Sequence, residues 1–145
     1  LAHWPVPPRF LLLRCRKGYA EMPTLLLDGT VIAATIGDDV LSRAVVIPRR
    51  PLAGKMRLLR LLDRRNAVAA IRWDDVFLKP ASDVGRKAFE AMRDVIGSLT
   101  PESVALVDQG DTMVVDNWRM LHARTAASPQ HHDRHLERVY LETVG

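Results

Sequence analysis

The sequence is short of cysteine, of long apolar runs and of strongly one-sided charge, and each shortage removes a class of protein. The single cysteine, Cys15, excludes an intramolecular disulfide and fits the reducing cytoplasm. It ends the apolar run that starts at Phe10, a place for a small buried residue rather than a reactive thiol. No apolar stretch reaches the roughly 18 to 20 residues of a membrane-spanning helix, so no membrane partner is expected. The N-terminus lacks the charge, apolar run and small-residue site of a secretory signal. The chain begins at Leu1 rather than methionine, which reads as a processed chain or a fragment. There is no internal repeat and no low-complexity tract.

What is present is ordinary for a folded domain. Of 145 residues, 48% are hydrophobic and 26% charged, which excludes a disordered chain and suits one domain or part of a larger one. The net charge is +4, a mild excess that suits an anionic small molecule as well as a nucleic acid. Much of the basic charge lies in one stretch, Arg49, Arg50, Lys55, Arg57, Arg60, Arg64 and Arg65. That stretch reads either as an anionic-partner surface or as the polar side of an insertion packed through Leu58, Leu59, Leu61 and Leu62. It lacks the interleaved aromatics that stack on bases, so the second reading is preferred and a nucleic-acid partner is not expected.

The pattern predicts several short strands and one long helix. The prolines of Trp4 to Pro8 force an extended or turn-like segment without regular pairing. Strands are expected over Phe10–Leu13, Thr24–Leu27, Val45–Ile47, Ala69–Trp73, Val104–Val107, Thr112–Asp116 and Arg138–Glu142. Asp28-Gly29 reads as a hairpin turn. Asp38–Ala44 reads as a short helix. Ser82 to Leu99 has helical apolar spacing, with Ser82 as N-cap and Gly97 near the stop. Trp73, Phe77 and Trp118 read as core or pocket wall. The expected class is mostly β (α+β), a single domain over residues 1–145 with helical insertions.

The chemistry is concentrated from Gly110 onward. A strand leads to Asp116-Asn117 and then, past Trp118 to Leu121, to His122. A neutral imidazole in such a place can ligate a metal, although a lone histidine is more often structural. Arg134 and Arg138 lie four apart at the last strand, where alternation puts both on one face if the strand is continuous. In that strand Arg138 and Tyr140 face one way, Val139 and Leu141 the other. A guanidinium fork fits a carboxylate bidentately, while an isolated arginine is ordinarily a solvated charge. His131, His132 and His135 with Asp133 form a cluster read as a solvated loop after Pro129.

The spacing Gly110-Asp111, Asp116-Asn117, Leu121-His122-x-Arg124-Thr125, then Arg134-x-x-x-Arg138, resembles the closing part of the taurine dioxygenase-like (TauD/TfdA) family. The upstream segment with Pro7-Pro8, the apolar strand and Met22-Pro23-Thr24 is similar to that family too. The resemblance implies a double-stranded β-helix, or jelly-roll, of which this chain is the C-terminal portion. It implies a non-haem Fe(II) enzyme with 2-oxoglutarate as cosubstrate, hydroxylating a small anionic or zwitterionic molecule. By the same resemblance His122 is an iron ligand, Thr24 and Arg134 hold 2-oxoglutarate, and Arg138 and Asn117 line the active site. One departure stands out. The family's other two ligands come as an H-x-D pair before the Pro-Pro segment, and His3 has no carboxylate two residues on. The expectation is that this pair lies upstream of Leu1; a non-catalytic relative of the same fold is the alternative. An incomplete jelly-roll exposes strand edges, so association into a homo-oligomer is a further expectation.

Overall fold

The computed structural model describes residues 1–126 and 128–145. The chain divides into two compact units, one of Leu1–Pro7 with Asp28–Leu99, the other of Pro8–Leu27 with Thr100–Gly145.

The second unit is all β. Strand β1 (Phe10–Lys17) is central in a sheet ordered β11-β1-β9, with β9 at Thr112–Asp116 and β11 at His135–Leu141. Both partners run antiparallel to it. A second sheet is ordered β10-β2-β8, from Met120–Arg124, Thr24–Asp28 and Glu102–Val104. Leu11, Leu13 and Cys15 of β1, Leu26 of β2, Leu106 and Val115 of β9 are buried together. Val104, Met113, Met120 and Leu136 pack against them, so the two sheets share one core. Strand β1 is longer than the apolar run predicts. Its second half alternates, with Leu13 and Cys15 buried and Arg14 and Arg16 exposed, and the pleat carries it to Lys17. Strand β8 ends at Val104 rather than starting there, and it lies in a different sheet from β9.

The first unit carries the helices. Asp28-Gly29 is not a hairpin turn. Asp28 caps helix α1 (Gly29–Ile36), its carboxylate accepting from the Thr30 N–H at 2.9 Å and the Thr30 hydroxyl at 2.6 Å. Aspartate followed by glycine suits either role, and the apolar residues after Thr30 decide for a helix. Helix α2 (Asp38–Arg43) follows, then β3 (Val45–Pro48), β4 (Leu59–Arg60), β5 (Leu62–Arg65), β6 (Val68–Ile71) and β7 (Leu78–Pro80). Strands β4, β3 and β7 form one sheet, and β5 pairs with β6. Helix α3 (Asp83–Ser98) starts where its cap predicts, the Ser82 Oγ accepting from the Gly85 N–H at 2.9 Å. It buries Gly85, Ala88, Phe89 and Met92, the spacing of one helix face. Trp73 packs against Phe89 in a tilted ring contact inside this unit, whereas Phe77 is exposed.

The basic stretch belongs to this unit. Leu59, Leu61 and Leu62 are buried, while Leu58 is exposed. Arg64 pairs with Asp38 and Arg65 with Asp63, and the Arg60 guanidinium donates to the Ser42 carbonyl. Two of its seven named charges, Arg64 and Arg65, are thus matched by ion pairs within the unit.

Candidate active site

The residues singled out for chemistry gather in the all-β unit. In the antiparallel register Leu13 faces Arg138, Leu11 faces Tyr140 and Cys15 faces Leu136. Directly opposed residues share a sheet face, so Arg138 and Tyr140 project on the side where Leu11, Leu13 and Cys15 are buried. The expected alternation of β11 is therefore found. Because β11 is an edge strand, Arg138 keeps much of its surface open to solvent.

His122 sits in the middle of β10 rather than at a strand end. It is half-buried, and its Nδ1 is enclosed with no hydrogen-bond partner among the described residues. Burial pulls its pKa below the ordinary histidine value against a smaller opposing effect of the Met120 backbone, and the charge of Arg138 adds least, in the lowering direction. The result is a neutral imidazole with an unused ring nitrogen, the form that ligates a metal. The fit to iron in this chain is that of one donor. Among the described residues no group of three or more His, Cys, Asp or Glu side chains is placed to hold a metal ion.

Thr24 opens β2 and is buried, only 4% exposed. Its hydroxyl oxygen lies 3.4 Å from Nη2 of Arg134, a contact between residues 110 apart in sequence. Arg134 immediately precedes β11. Its Nε is enclosed and has no partner among the described residues. Burial lowers its pKa, and Arg124 nearby adds to that. A half-buried guanidinium with an unspent N–H, next to a hydroxyl and a second cation, has the chemistry to accept a carboxylate.

Asn117, expected to line the pocket, makes structural hydrogen bonds in the β9–β10 turn. Its Nδ2 donates to the Pro8 carbonyl at 2.9 Å and its backbone N–H to the Arg9 carbonyl at 2.7 Å. Asp116 completes the turn by accepting from the Trp118 N–H at 3.1 Å. The side-chain amide of Asn117 thus fixes the β9–β10 turn, which sets where β10 and His122 begin.

The histidine-rich loop is solvated at His132, Asp133 and His135, and it also makes side-chain contacts. The His131 ring stacks on Tyr19 with centroids 4.0 Å apart, and Asp133 accepts from the Tyr19 hydroxyl at 2.6 Å and from Lys17. Lys17, Tyr19 and Arg124 were not singled out from sequence. Nothing local in the sequence marks a partner for Lys17 near residue 133.

Comparison with known proteins places this arrangement. Residues 82–140 match the sequence model of the "Taurine catabolism dioxygenase TauD, TfdA family". The likeness read from the motifs is therefore borne out, with those residues carrying the match. Clavaminate synthase 2 of Streptomyces clavuligerus is 27% identical over 158 residues, covering 99% of this chain and 48% of that protein. An asparagine oxygenase solved with Fe(II), 2S,3S-3-hydroxyasparagine and succinate superposes with a TM-score of 0.77 at 20% identity, covering 97% of this chain and 47% of that one. The non-haem iron oxygenase OrfP with Fe and alpha-ketoglutaric acid gives 0.71 at 24% identity, covering 97% and 46%. The fold is that of these jelly-roll oxygenases, as expected. The chain spans about half the length of the relatives it matches.

Proposed function

We propose that this chain forms the C-terminal part of the active site of a non-haem Fe(II)/2-oxoglutarate-dependent dioxygenase. The observation that carries the reading is the convergence of His122, Thr24, Arg134 and Arg138 in one β unit within a chain similar to such enzymes. His122 is assigned as one iron ligand, through its enclosed and unpartnered imidazole. Arg134 and Thr24 are assigned to the carboxylate of 2-oxoglutarate remote from the metal. Arg138, open on the inner sheet face, is assigned to the bound substrate or cosubstrate. Iron, when bound, supplies the redox chemistry that couples decarboxylation of 2-oxoglutarate to succinate with hydroxylation of a C–H bond.

The chain's own residues bind and orient. The Arg134 fork and the Thr24 hydroxyl fix one end of a dicarboxylate, which sets the position of its other end. The positive charges of Arg124, Arg134 and Arg138 favour an anion, while burial foremost favours the neutral His122 imidazole. The remaining ligands, an H-x-D pair by family resemblance, are assigned to residues before Leu1. The substrate class proposed is a free amino acid or a related zwitterion, as the asparagine and arginine ligands of the solved neighbours suggest. The absence of a long apolar helix among the described residues accords with a proposed cytoplasmic setting.

The test is isothermal titration with 2-oxoglutarate. The wild-type chain is expected to bind, and Arg134→Ala to weaken binding at least on the order of tenfold, the loss of a charge-assisted bidentate contact. Equal affinity in both proteins overturns the assignment.

A further inference from the structure

Arg134 lies just before a strand, on a loop, and something must hold a half-buried cation in one place there. The surrounding contacts converge on that task. Strand β1 carries one extra residue relative to β11 between Cys15 and Lys17, so the register shifts just where β1 ends. Such a bulge re-aims the side chains beyond it. The turn that follows depends on Gly18: a Cβ there would lie 1.9 Å from the Leu106 carbonyl oxygen and 2.8 Å from Cys15 Sγ. Lys17 and Tyr19 flank this pinned glycine. Both donate to the carboxylate of Asp133, the residue immediately before Arg134. The face of Tyr19 stacks on His131, whose carbonyl accepts from the Arg134 N–H at 3.2 Å and whose Nε2 lies 3.7 Å from Glu21. Farther along the same connection, the Pro23 carbonyl accepts from Thr125 at 3.4 Å, and Thr24 follows it. The β1–β2 connection thus carries both Thr24 and the anchors of the loop that bears Arg134.

We propose that Lys17, Tyr19 and Asp133 are positioning residues for carboxylate recognition: they lock the 129–134 loop to the β1–β2 connection and so hold the Arg134 guanidinium against Thr24. The inference rests on the assignment of Arg134 to 2-oxoglutarate and adds the device that sets its geometry. Neither Asp133 nor Tyr19 touches the cosubstrate; they act through Arg134. Groups that orient a binding residue in this way commonly change affinity by about 10- to 100-fold when removed.

The experiment compares wild type, Asp133→Asn, Tyr19→Phe, Arg134→Ala and Glu137→Gln. The last breaks the Arg16–Glu137 ion pair on the same two strands without touching the loop. Two readouts are taken on the folded chain: the Arg134 Nε–Hε signal by NMR, and the affinity for 2-oxoglutarate by titration. The expected result is a sharp Arg134 signal in wild type and Glu137→Gln, broadened in Asp133→Asn and Tyr19→Phe, with affinity reduced about tenfold in those two variants. In the Arg134→Ala background, Asp133→Asn is expected to cause no further loss of affinity, since its effect passes through Arg134. An Arg134 signal unchanged by Asp133→Asn overturns the proposal, whatever the ligand does. Binding that is equal in wild type and Arg134→Ala overturns the cosubstrate assignment instead, and the NMR comparison still decides whether the lock positions the side chain. A Glu137→Gln chain affected as strongly as Asp133→Asn also overturns the proposal, because any damage to the β1–β11 pair would then suffice.

Discussion

Gly18 can be nothing larger without displacing backbone. Its ideal Cβ would fall 1.9 Å from the Leu106 carbonyl oxygen, and that oxygen belongs to a segment that also accepts from the Cys15 thiol at 3.4 Å. Gly18→Ala is expected to cost about 1–3 kcal/mol or more of stability, the ordinary range for forced overpacking, read as a lower urea midpoint. An unchanged midpoint would show that the connection shifts freely. Asp133 makes a different prediction. Hydrogen bonds from Lys17 foremost, and from Tyr19, lower its pKa to about 2 from an ordinary 3.8. Its contribution to stability is thus fully present above about pH 4 and lost as the pH falls through about 2. Its carboxyl carbon shift should titrate with a midpoint near 2, moving up toward the ordinary value in Lys17→Met, where the Tyr19 hydrogen bond remains. The residues of the site were unequally legible. The facing of Arg138 and Tyr140 follows from strand alternation alone. The meeting of Thr24 with Arg134 joins residues 110 apart, which no local pattern can show, and it was anticipated only through family resemblance. Asn117 sits in a recognisable motif, yet its amide is spent on the Pro8 carbonyl.

At the scale of elements, α3 was the most readable, because cap, apolar spacing and length agree. Ser82→Ala removes the acceptor for the Gly85 N–H and is expected to cost about 1 kcal/mol, measured as a small fall in the midpoint of thermal unfolding. Wherever one local signal had two meanings, the tertiary setting chose. Asp28-Gly29 became a helix cap because Ile32 and Ala33 are buried one turn later. Strand β1 outran its apolar core because an alternating strand needs only every second residue to be apolar. Strand β10 was read only as a path to His122, whereas hydrogen bonding to β2 makes the histidine a central strand residue. Its neighbours therefore limit how far the imidazole can move.

At the scale of the whole molecule, each unit has its own core and its own exposed apolar surface. In the helical unit, Arg72 is buried, 4% exposed, and donates to the Ala2 and Trp4 carbonyls at 2.7 Å each. Arg65 donates to the Pro5 carbonyl at 2.7 Å. Burial lowers the Arg72 pKa to about 10, and Arg65 reinforces that, so the guanidinium stays charged at neutral pH. The entry segment, a turn at residues 2–3 and bends over 4–6, is thus held by these guanidinium hydrogen bonds rather than by strand pairing. Arg72→Met should loosen this segment, observable as lost hydrogen-exchange protection of the Trp4 amide, which donates to the Leu1 carbonyl at 2.9 Å. In the all-β unit, Val114 and Val139 are each 47% exposed, and both face Leu12 across β1 on the outer side of the sheet. Apolar surface of that kind favours self-association. The central claim is tested by succinate formation from 2-oxoglutarate with Fe(II), comparing the chain as given with a form extended before Leu1. The account predicts iron-dependent succinate from the extended form, abolished in His122→Ala and Arg134→Ala. Undiminished succinate in His122→Ala, or none from an extended form that carries an H-x-D pair, would contradict it.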